Sequence, residues 1–245
     1  MNNPIYEPKG RAREYGELAV NIYTGCNHGC VYCFARKMKE RYTPKGCICT
    51  FNNPAARPGI VEAVRRQLER KEMKGRTIHL CFSCDPYPLL LDTTPTREVI
   101  KAIKDSGNHV QILTKGGIRA ERDFDLLDSG DRFGVTIAGN ARQTLQNEPG
   151  ASAYIDRVIS LYDAKKRGIR TWASFEPVFD PQTVYEAIEK ADFIDFFKIG
   201  KLNYMPSEID WKEFGETCEM LCRRFNRDYY IKQDLRDEME REKDG

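Results

Sequence analysis

Three cysteines in the stretch TGCNHGCVYCFAR, namely Cys26, Cys30 and Cys33, are the residues here whose types and spacing most directly suggest chemistry. Their C-x3-C-x2-C spacing gathers three soft sulfur ligands on one short loop. Three thiolates so placed can hold three corners of a cubane iron-sulfur cluster and leave the fourth iron open. The same thiols can instead form most of a structural zinc site, with His28 or a distant cysteine as fourth ligand, although zinc ligands usually come as two paired units. A disulfide framework fits poorly. The sequence holds nine cysteines, an odd number, and opens without the basic start and apolar run of a secretory leader.

Other candidates stand where apolar runs give way to polar residues. In FSCDPY, Ser83 and Asp85 offer oxygens that can accept hydrogen bonds from an ammonium, while Asp85-Pro86 also reads as a simple turn. Lys115, in LTKGG, can pair with a carboxylate as a point charge. Thr136 brings a hydroxyl, or merely packs in the core. Glu176 is either a functional carboxylate or one end of a rim salt bridge to Lys198 or Lys201. Cys218 and Cys222, four apart among Trp211, Phe214 and Leu221, read as core. Cys47 and Cys49 fall in a loop, and with Cys218 and Cys222 would make an unusual ligand set for a second metal.

Elements that could position these groups follow from periodicity. Residues 1–16 are polar and proline-bearing, an arm. Residues 17–23, ELAVNIY, read as a buried strand that delivers the cysteine loop at its C-terminal end, and residues 34–42 as a helix. An irregular loop covers residues 43–59. Helix 59–74 and strand 76–82 follow, then a helix opened by Thr94 and Pro95 that buries Val99, Ile100 and Ile103. Further strands are expected at 109–114, 132–137, 169–175 and 193–199. Between them lie helices at 121–128, from about 149 to 168, and after Asp180-Pro181. Six strands alternating with helices argue for parallel βαβ units with right-handed crossovers. No GxGxxG or Walker loop is present. Beyond residue 200 the sequence reads as a helical extension, with residues 229–231 available as a seventh, edge strand.

Length and composition bound the rest. A chain of 245 residues fits one α/β barrel, so a single domain over 1–245 is expected, with an arm (1–16), a barrel (17–200) and an extension (201–245). The sequence is 40% hydrophobic and 31% charged with net charge +2, which neither demands nor excludes nucleic acid. No window approaches the ~18 consecutive apolar residues of a membrane span, and with free cysteines this leads to an expected cytoplasmic, reducing location.

The cysteine loop, with Tyr32 just before its third cysteine, resembles the signature of the radical S-adenosylmethionine (SAM) superfamily. SCDPY, LTK and the RDFDLL run at Arg122–Leu127 resemble the spore photoproduct lyase branch. The resemblance implies an α/β fold with a partial (β/α)6 barrel and two cofactors, a 4Fe-4S cluster and SAM. Cys26, Cys30 and Cys33 would hold the cluster, whose open iron chelates SAM. Around SAM the resemblance places Tyr32, Phe34, Ser83, Cys84, Asp85, Lys115, Thr136, Phe175, Glu176 and Ile199. Of these, Ser83 or Asp85 would take its amino group, Lys115 its carboxylate and Thr136 its ribose or carboxylate; read from their types and places at strand ends, Phe175 and Ile199 suit an apolar wall for adenine, and Glu176 suits contact with ribose or substrate or a role as acid or base.

It also implies reductive cleavage of SAM to a 5'-deoxyadenosyl radical, an external one-electron donor of flavodoxin or ferredoxin type, and hydrogen return by the thiol of Cys81 or Cys84, with Tyr32 available to a relay. A nucleic-acid lesion or base is the implied substrate, held by a basic rim from residues 65–76 or 223–227. A small molecule or peptide is the alternative, and a non-catalytic metal module the third reading. The sequence departs from the branch in Phe34 for a second tyrosine, in Gly116 for a serine and in a shorter N-terminal part.

Overall fold

The computed structural model describes residues 3–45 and 47–241; the two ends of the expected 1–245 domain lie outside them. The arm opens with β1 (Ile5–Tyr6), which pairs antiparallel with β2 (Leu18–Val20). Between them a 3-10 turn, Gly10–Glu14, leads to the half-buried Tyr15. The expected strand 17–23 is two pieces. β3 (Tyr23–Thr24) leaves the main sheet because Asn21 intervenes: its side chain accepts from the amides of Phe82 and Ser83 and donates to the Tyr6 hydroxyl.

The cysteine loop then runs into α1 (Phe34–Tyr42), whose bounds match the sequence reading. β4 (Ala55–Ala56) pairs with β3 as a separate two-stranded sheet, and α2 (Ile60–Leu68) is followed by β5 (Thr77–Leu80) and α3 (Thr94–Asp105). Val99, Ile100 and Ile103 of α3 are fully buried, each worth roughly 1.5–3 kcal/mol of transfer free energy. β6 (His109–Thr114) and β7 (Arg132–Thr136) flank a 3-10 segment, Gly117–Leu126, where a short helix was expected.

The expected helix from about 149 to 168 is α5 (Tyr154–Lys166), which starts later than expected, and a further helix, α4 (Ala141–Asn147), precedes it. Their junction is extended because its amides bond elsewhere, Gly150 to the His28 carbonyl at 2.8 Å and Ser152 to the Lys115 carbonyl at 2.9 Å. A reciprocal Asn140–Gln143 capping box opens α4, a signal present in GNARQ. β8 (Arg170–Phe175), α6 (Pro181–Lys190), β9 (Phe196–Ile199), α7 (Trp211–Arg224), β10 (Tyr229–Ile231) and α8 (Gln233–Glu240) complete the chain.

The main sheet has the order β1-β2-β5-β6-β7-β8-β9-β10, parallel throughout except at β1, and β10 is the seventh strand. Alternation divides its residues. Ile78, Leu80, Val110, Ile112, Phe133, Val135, Ala173, Phe175, Phe197 and Ile199 are buried in the apolar core shared with the helices. His79, Gln111, Trp172, Ser174 and Lys198 point the other way, into the curve of a partial barrel, where Gln111 reaches both His79 (3.0 Å) and the carbonyl of Tyr15 (2.5 Å). Gly134 leaves room on that face for the Trp172 ring, whose Nε1 donates to the Ile112 carbonyl at 3.0 Å. Cys218 and Cys222 are fully buried in the core while Cys49 is half-buried and Cys47 exposed, and among the described residues these four form no convergent donor group. Among the described residues no helix is long and apolar enough to cross a membrane.

Candidate active site

A cavity of about 770 Å³ opens at the C-terminal ends of the parallel strands. One wall is the cysteine loop. The amide of Cys26 donates to the Phe51 carbonyl at 2.8 Å, and Gly25 takes a left-handed φ of 83° close against that same carbonyl, where a Cβ would collide. Cys33 caps α1, its Sγ accepting from the Arg36 amide at 3.4 Å. Burial pushes the thiol of Cys30 up to about 12, and burial beside Asp85 pushes Cys26 up as well. Such thiols ionise when a cation is bound to them, which couples metal binding to proton release.

These residues fit a cubane better than zinc. Among the described residues, the only three His, Cys, Asp or Glu groups whose ligand atoms converge within 4.8 Å are His109, Asp128 and Asp131. The three loop sulfurs therefore do not all lie within 4.8 Å of one another, whereas the ligands of a tetrahedral site with Zn–S bonds near 2.3 Å stand ~3.8 Å apart. His28 is also engaged: Nε2 accepts from Arg119 at 3.1 Å and Nδ1 faces Asp85 at 3.6 Å. Its burial, with Lys115 and Arg119 nearby, outweighs Asp85 and keeps the ring neutral.

Asp85 differs from its expected role. Its carboxylate accepts from the Tyr87 amide (2.8 Å), the Thr114 hydroxyl (2.6 Å) and the Lys115 amide (2.9 Å). Burial raises its pKa, but these three donors outweigh that and hold it low. A carboxylate so occupied ties β5, β6 and the cysteine loop into one knot and is not free for a ligand ammonium. Ser83 is the oxygen left on that wall, with no protein partner for its hydroxyl among the described residues. Asn27 adds a second tie, its amide bracketing Leu89 at 2.6 and 3.0 Å. Tyr87, fully buried, donates to Asp123 (3.1 Å), which also takes Arg122 (2.9 Å) and Arg97 (3.1 Å). The RDFDLL run therefore anchors the SCDPY run. Gly116 belongs to the same packing, since a Cβ there would lie 2.7 Å from that of Tyr87.

Lys115 lines the cavity with its ammonium 5.6 Å from the Tyr32 ring. Tyr32 donates to Glu148, which pairs with the buried Arg157 at 2.5 Å. Cys81 and Cys84 both face the cavity. Cys81 holds a left-handed φ of 66°, uncommon for a side-chain-bearing residue, and burial with Cys84 beside it pushes its thiol well above the ordinary range. Thr136 lines the same space, and Phe34 is half exposed at the mouth.

The facing wall departs most from expectation. Phe175 and Ile199 do not wall the cavity; strand alternation turns both to the outer core, where Phe175 packs against Phe197. Glu176 does line it, but pairs neither with Lys198 nor with Lys201. Its partners are the Tyr15 hydroxyl (2.9 Å), Asn203 (3.3 Å) and the buried Lys232. Lys232 also reaches Glu14 at 3.3 Å, Lys198 donates to the Glu14 carbonyl, and Lys201 pairs with Glu238. Tyr15, Lys232, Glu148, Arg157 and Arg119 were missed from sequence; the available signal was Arg157 amid the apolar Val158 and Leu161 of a helix. The basic rims at 65–76 and 223–227 are not at the cavity, and Arg65, Arg76 and Arg223 pair with Glu98, Glu17 and Glu219. The mouth is instead lined by Lys9, Lys37 and Arg41, none with an acidic partner among the described residues, together with Phe34, Met38 and Tyr204, which are 51%, 54% and 69% exposed.

Known proteins bear on this geometry. An uncharacterized protein of Methanocaldococcus jannaschii is 28% identical over 209 residues, 82% of this chain and 75% of its own. An uncharacterized protein of Mycobacterium tuberculosis is 29% identical over 121 residues, 49% of this chain and 35% of that protein. Among solved structures, a spore photoproduct lyase variant with bound AdoMet and dinucleoside spore photoproduct aligns at a TM-score of 0.66 with 14% identity, covering 92% of this chain and 78% of that one. Streptococcus suis SuiB bound to S-adenosylmethionine aligns at 0.60 with 12% identity, covering 87% and 49%. At such identities the likeness is one of fold. The family model of the radical SAM superfamily matches residues 20–194, which runs from the strand ahead of the cysteine loop past Glu176 and covers well over half of the sequence, so the chain belongs to the radical SAM superfamily, whose enzymes use a 4Fe-4S cluster and SAM.

Proposed function

We propose that this enzyme generates a 5'-deoxyadenosyl radical in the 770 Å³ cavity and uses it on a nucleic-acid lesion or base presented at the mouth, with residues 1–245 acting as one domain. Cys26, Cys30 and Cys33 would hold the cluster. When bound, cluster and SAM supply a carbon-centred radical that takes a hydrogen atom from the substrate. The protein's residues do the remaining work. Lys115 offers an ammonium to the SAM carboxylate, Ser83 an acceptor to its amino group, and Thr136 and Glu176 line the space for its ribose and for substrate. Tyr32, fixed through Glu148, contributes an aromatic edge beside Lys115.

Cys81 or Cys84 can return the hydrogen. The S–H bond breaks, a C–H bond forms on the substrate radical, and the unpaired electron passes to sulfur. The raised pKa of the buried Cys81 thiol suits this role because its hydrogen stays on sulfur until it is needed. Unchanged product distributions in both Cys81→Ala and Cys84→Ala would eliminate it.

The observation that carries the substrate reading is the mouth, where unpaired Lys9, Lys37 and Arg41 alternate with exposed Phe34, Met38 and Tyr204. Cations interleaved with aromatic faces suit phosphates and unstacked bases. The spore photoproduct lyase complexed with dinucleoside spore photoproduct supports the same reading by analogy. Anaerobic reconstitution with iron, sulfide, dithionite and SAM should yield 5'-deoxyadenosine. Single-stranded oligonucleotides should bind with a steep negative salt dependence. A flat salt response would favour a small molecule or peptide instead.

A further inference from the structure

The nine cysteines differ in what their places in the fold let them form. Cys26, Cys30 and Cys33 are the cluster ligands of the reading above. Cys218 and Cys222 stand four apart on α7 and are fully buried. Side chains at that helical spacing have Cβ atoms ~5–6 Å apart, wider than the ~3.8 Å of a disulfide, so the two pack as core. Cys47 is exposed in a loop. Cys81 and Cys84 are arranged differently from all of these.

Two residues separate Cys81 from Cys84, and the chain between them curls. β5 ends at Leu80, the Cys81 amide donates to the Val20 carbonyl at 2.8 Å, and Cys81 then takes its left-handed φ of 66°. The next two amides, of Phe82 and Ser83, converge on one atom, Asn21 Oδ1, at 2.8 and 2.9 Å. Successive N–H groups aimed at one oxygen wrap the backbone around it, which turns Cys84 back toward Cys81. The two thiols are hydrogen-bonded to each other, and both residues line the cavity. A left-handed φ at a residue with a side chain costs free energy that the Asn21 contacts offset, and its outcome is two sulfurs side by side. Cys81 is 6% exposed and Cys84 is half-buried, so Cys84 is the sulfur that an incoming reagent meets first.

We infer that Cys81 and Cys84 form a redox-active dithiol, which closes reversibly to a disulfide by exchange with a low-molecular-weight disulfide. The Cys84 thiolate attacks one sulfur of the incoming disulfide; that S–S bond breaks, a mixed disulfide forms, and the first small thiol leaves with the proton that Cys84 gave up. Cys81 then loses its proton and attacks the Cys84 sulfur, and the second small thiol leaves with that proton. Two S–H bonds become one S–S bond, and the small disulfide is reduced to two thiols. An excess of the small thiol reopens the pair by the reverse exchange. In the closed form neither sulfur carries a hydrogen, so a substrate radical finds no donor on this wall. That link to catalysis rests on the proposed function above, whereas the bridge itself does not.

The experiment uses the anaerobically reconstituted full chain, equilibrated with a fixed level of mercaptoethanol and a rising level of its disulfide. After an acid quench the protein is alkylated and cut with trypsin, and the peptide 77–97, which holds Cys81 and Cys84 and no other cysteine, is read by mass spectrometry. The open form takes two labels; the closed form takes none and is lighter by two hydrogens. Half-closure is expected at a disulfide level about tenfold or more below the one that half-modifies the exposed Cys47, because the second exchange is intramolecular. Asn21→Ala, which releases the two amides, should raise the level needed for closure by several-fold, with iron content reporting that the variant still folds. Two labels on 77–97 throughout the series, a mercaptoethanol adduct on Cys84 with no bridge, or closure no easier than modification of Cys47 would each overturn the proposal. Because closure is read without turnover, wild-type enzyme that gives no 5'-deoxyadenosine with dithionite would strike the radical reading and the role given to the closed form, and would do so separately from the bridge.

Discussion

The two walls of the cavity are built in opposite ways. Under the cysteine loop, Asp85 gathers Tyr87, Thr114 and Lys115, which are 2, 29 and 30 residues away, and consecutive β/α units bring them together. Across the cavity, Tyr15 meets Ser174 and Glu176 over 159 and 161 residues, and Lys198 reaches the Glu14 carbonyl over 184. The first wall is a property of neighbouring strands. The second exists only after the N-terminal arm has been brought to β8, β9 and β10, a long closure whose entropy must be offset by the contacts it makes. Mutations should therefore separate the walls, with the near wall failing through the cofactor and the far wall through the arm.

The largest effect is expected at Asp85. Asp85→Ala leaves two buried amides, the Thr114 hydroxyl and the His28 ring without their acceptor, a loss of about 3–5 kcal/mol by analogy with broken buried networks. Denaturant unfolding measures the stability, and iron content after reconstitution should fall with it. A variant that kept both would show that the knot does not hold the cysteine loop. Lys232→Met is expected to cost less, about 1–3 kcal/mol, because Glu176 keeps Tyr15 and Asn203 as donors. Its signature is protease sensitivity of residues 3–16 with iron content retained. Iron loss in Lys232→Met as large as in Asp85→Ala would erase the distinction between the walls.

What could be read from sequence follows the same division. The cysteine loop, SCDPY, LTK and RDFDLL are legible because each is short and its parts meet nearby; even the reason for RDFDLL, Asp123 holding Tyr87, joins only two consecutive β/α units. α1, β6 and the edge strand β10 matched their expected bounds because periodicity and breakers agree there. Phe175 and Ile199 were misplaced because a strand end names two faces and sequence does not say which one is concave. Asp85 was assigned to a ligand because a carboxylate beside a proline does not reveal that three donors from other strands occupy it. Tyr15 and Lys232 had no local signal at all: an arm residue and a lysine before the last helix become neighbours only through closure of the whole sheet.

The mouth joins the two walls, so single charge reversals there should weaken oligonucleotide binding without changing stability. Lys37→Glu and Arg41→Glu act from the α1 side, Lys9→Glu from the arm side. Each removes a candidate phosphate contact and should lower the magnitude of the salt slope by about one, measured by fluorescence anisotropy over a salt series. Equal losses from the two sides would mean that the strand bridges the opening. Loss only from the α1 side would mean that the arm serves the fold alone, and an unchanged slope in all three would remove the mouth as a nucleic-acid site.

The last effect is a pH dependence specific to the far wall. Burial, and then the Lys232 ammonium beside it, lower the pKa of Lys198 from 10.5 to about 8. In the folded state Lys198 therefore gives up its proton near pH 8, whereas in the unfolded chain it keeps it until about 10.5. Between these values the unfolded state binds more protons, so this group's contribution to stability rises with pH, by at most about 1.4 kcal/mol per unit, and is unfavourable below pH 8. Glu14 and Glu176 oppose the shift, and the phenols of Tyr15 and Tyr230 against which the ammonium rests are held protonated by burial through this window. Lys198→Met should remove that slope. The wild-type-minus-variant unfolding free energy, followed by urea titration from pH 7.5 to 10, should climb toward high pH. A flat difference would mean that Lys198 stays charged in the fold and that the far wall admits more water than its burial indicates.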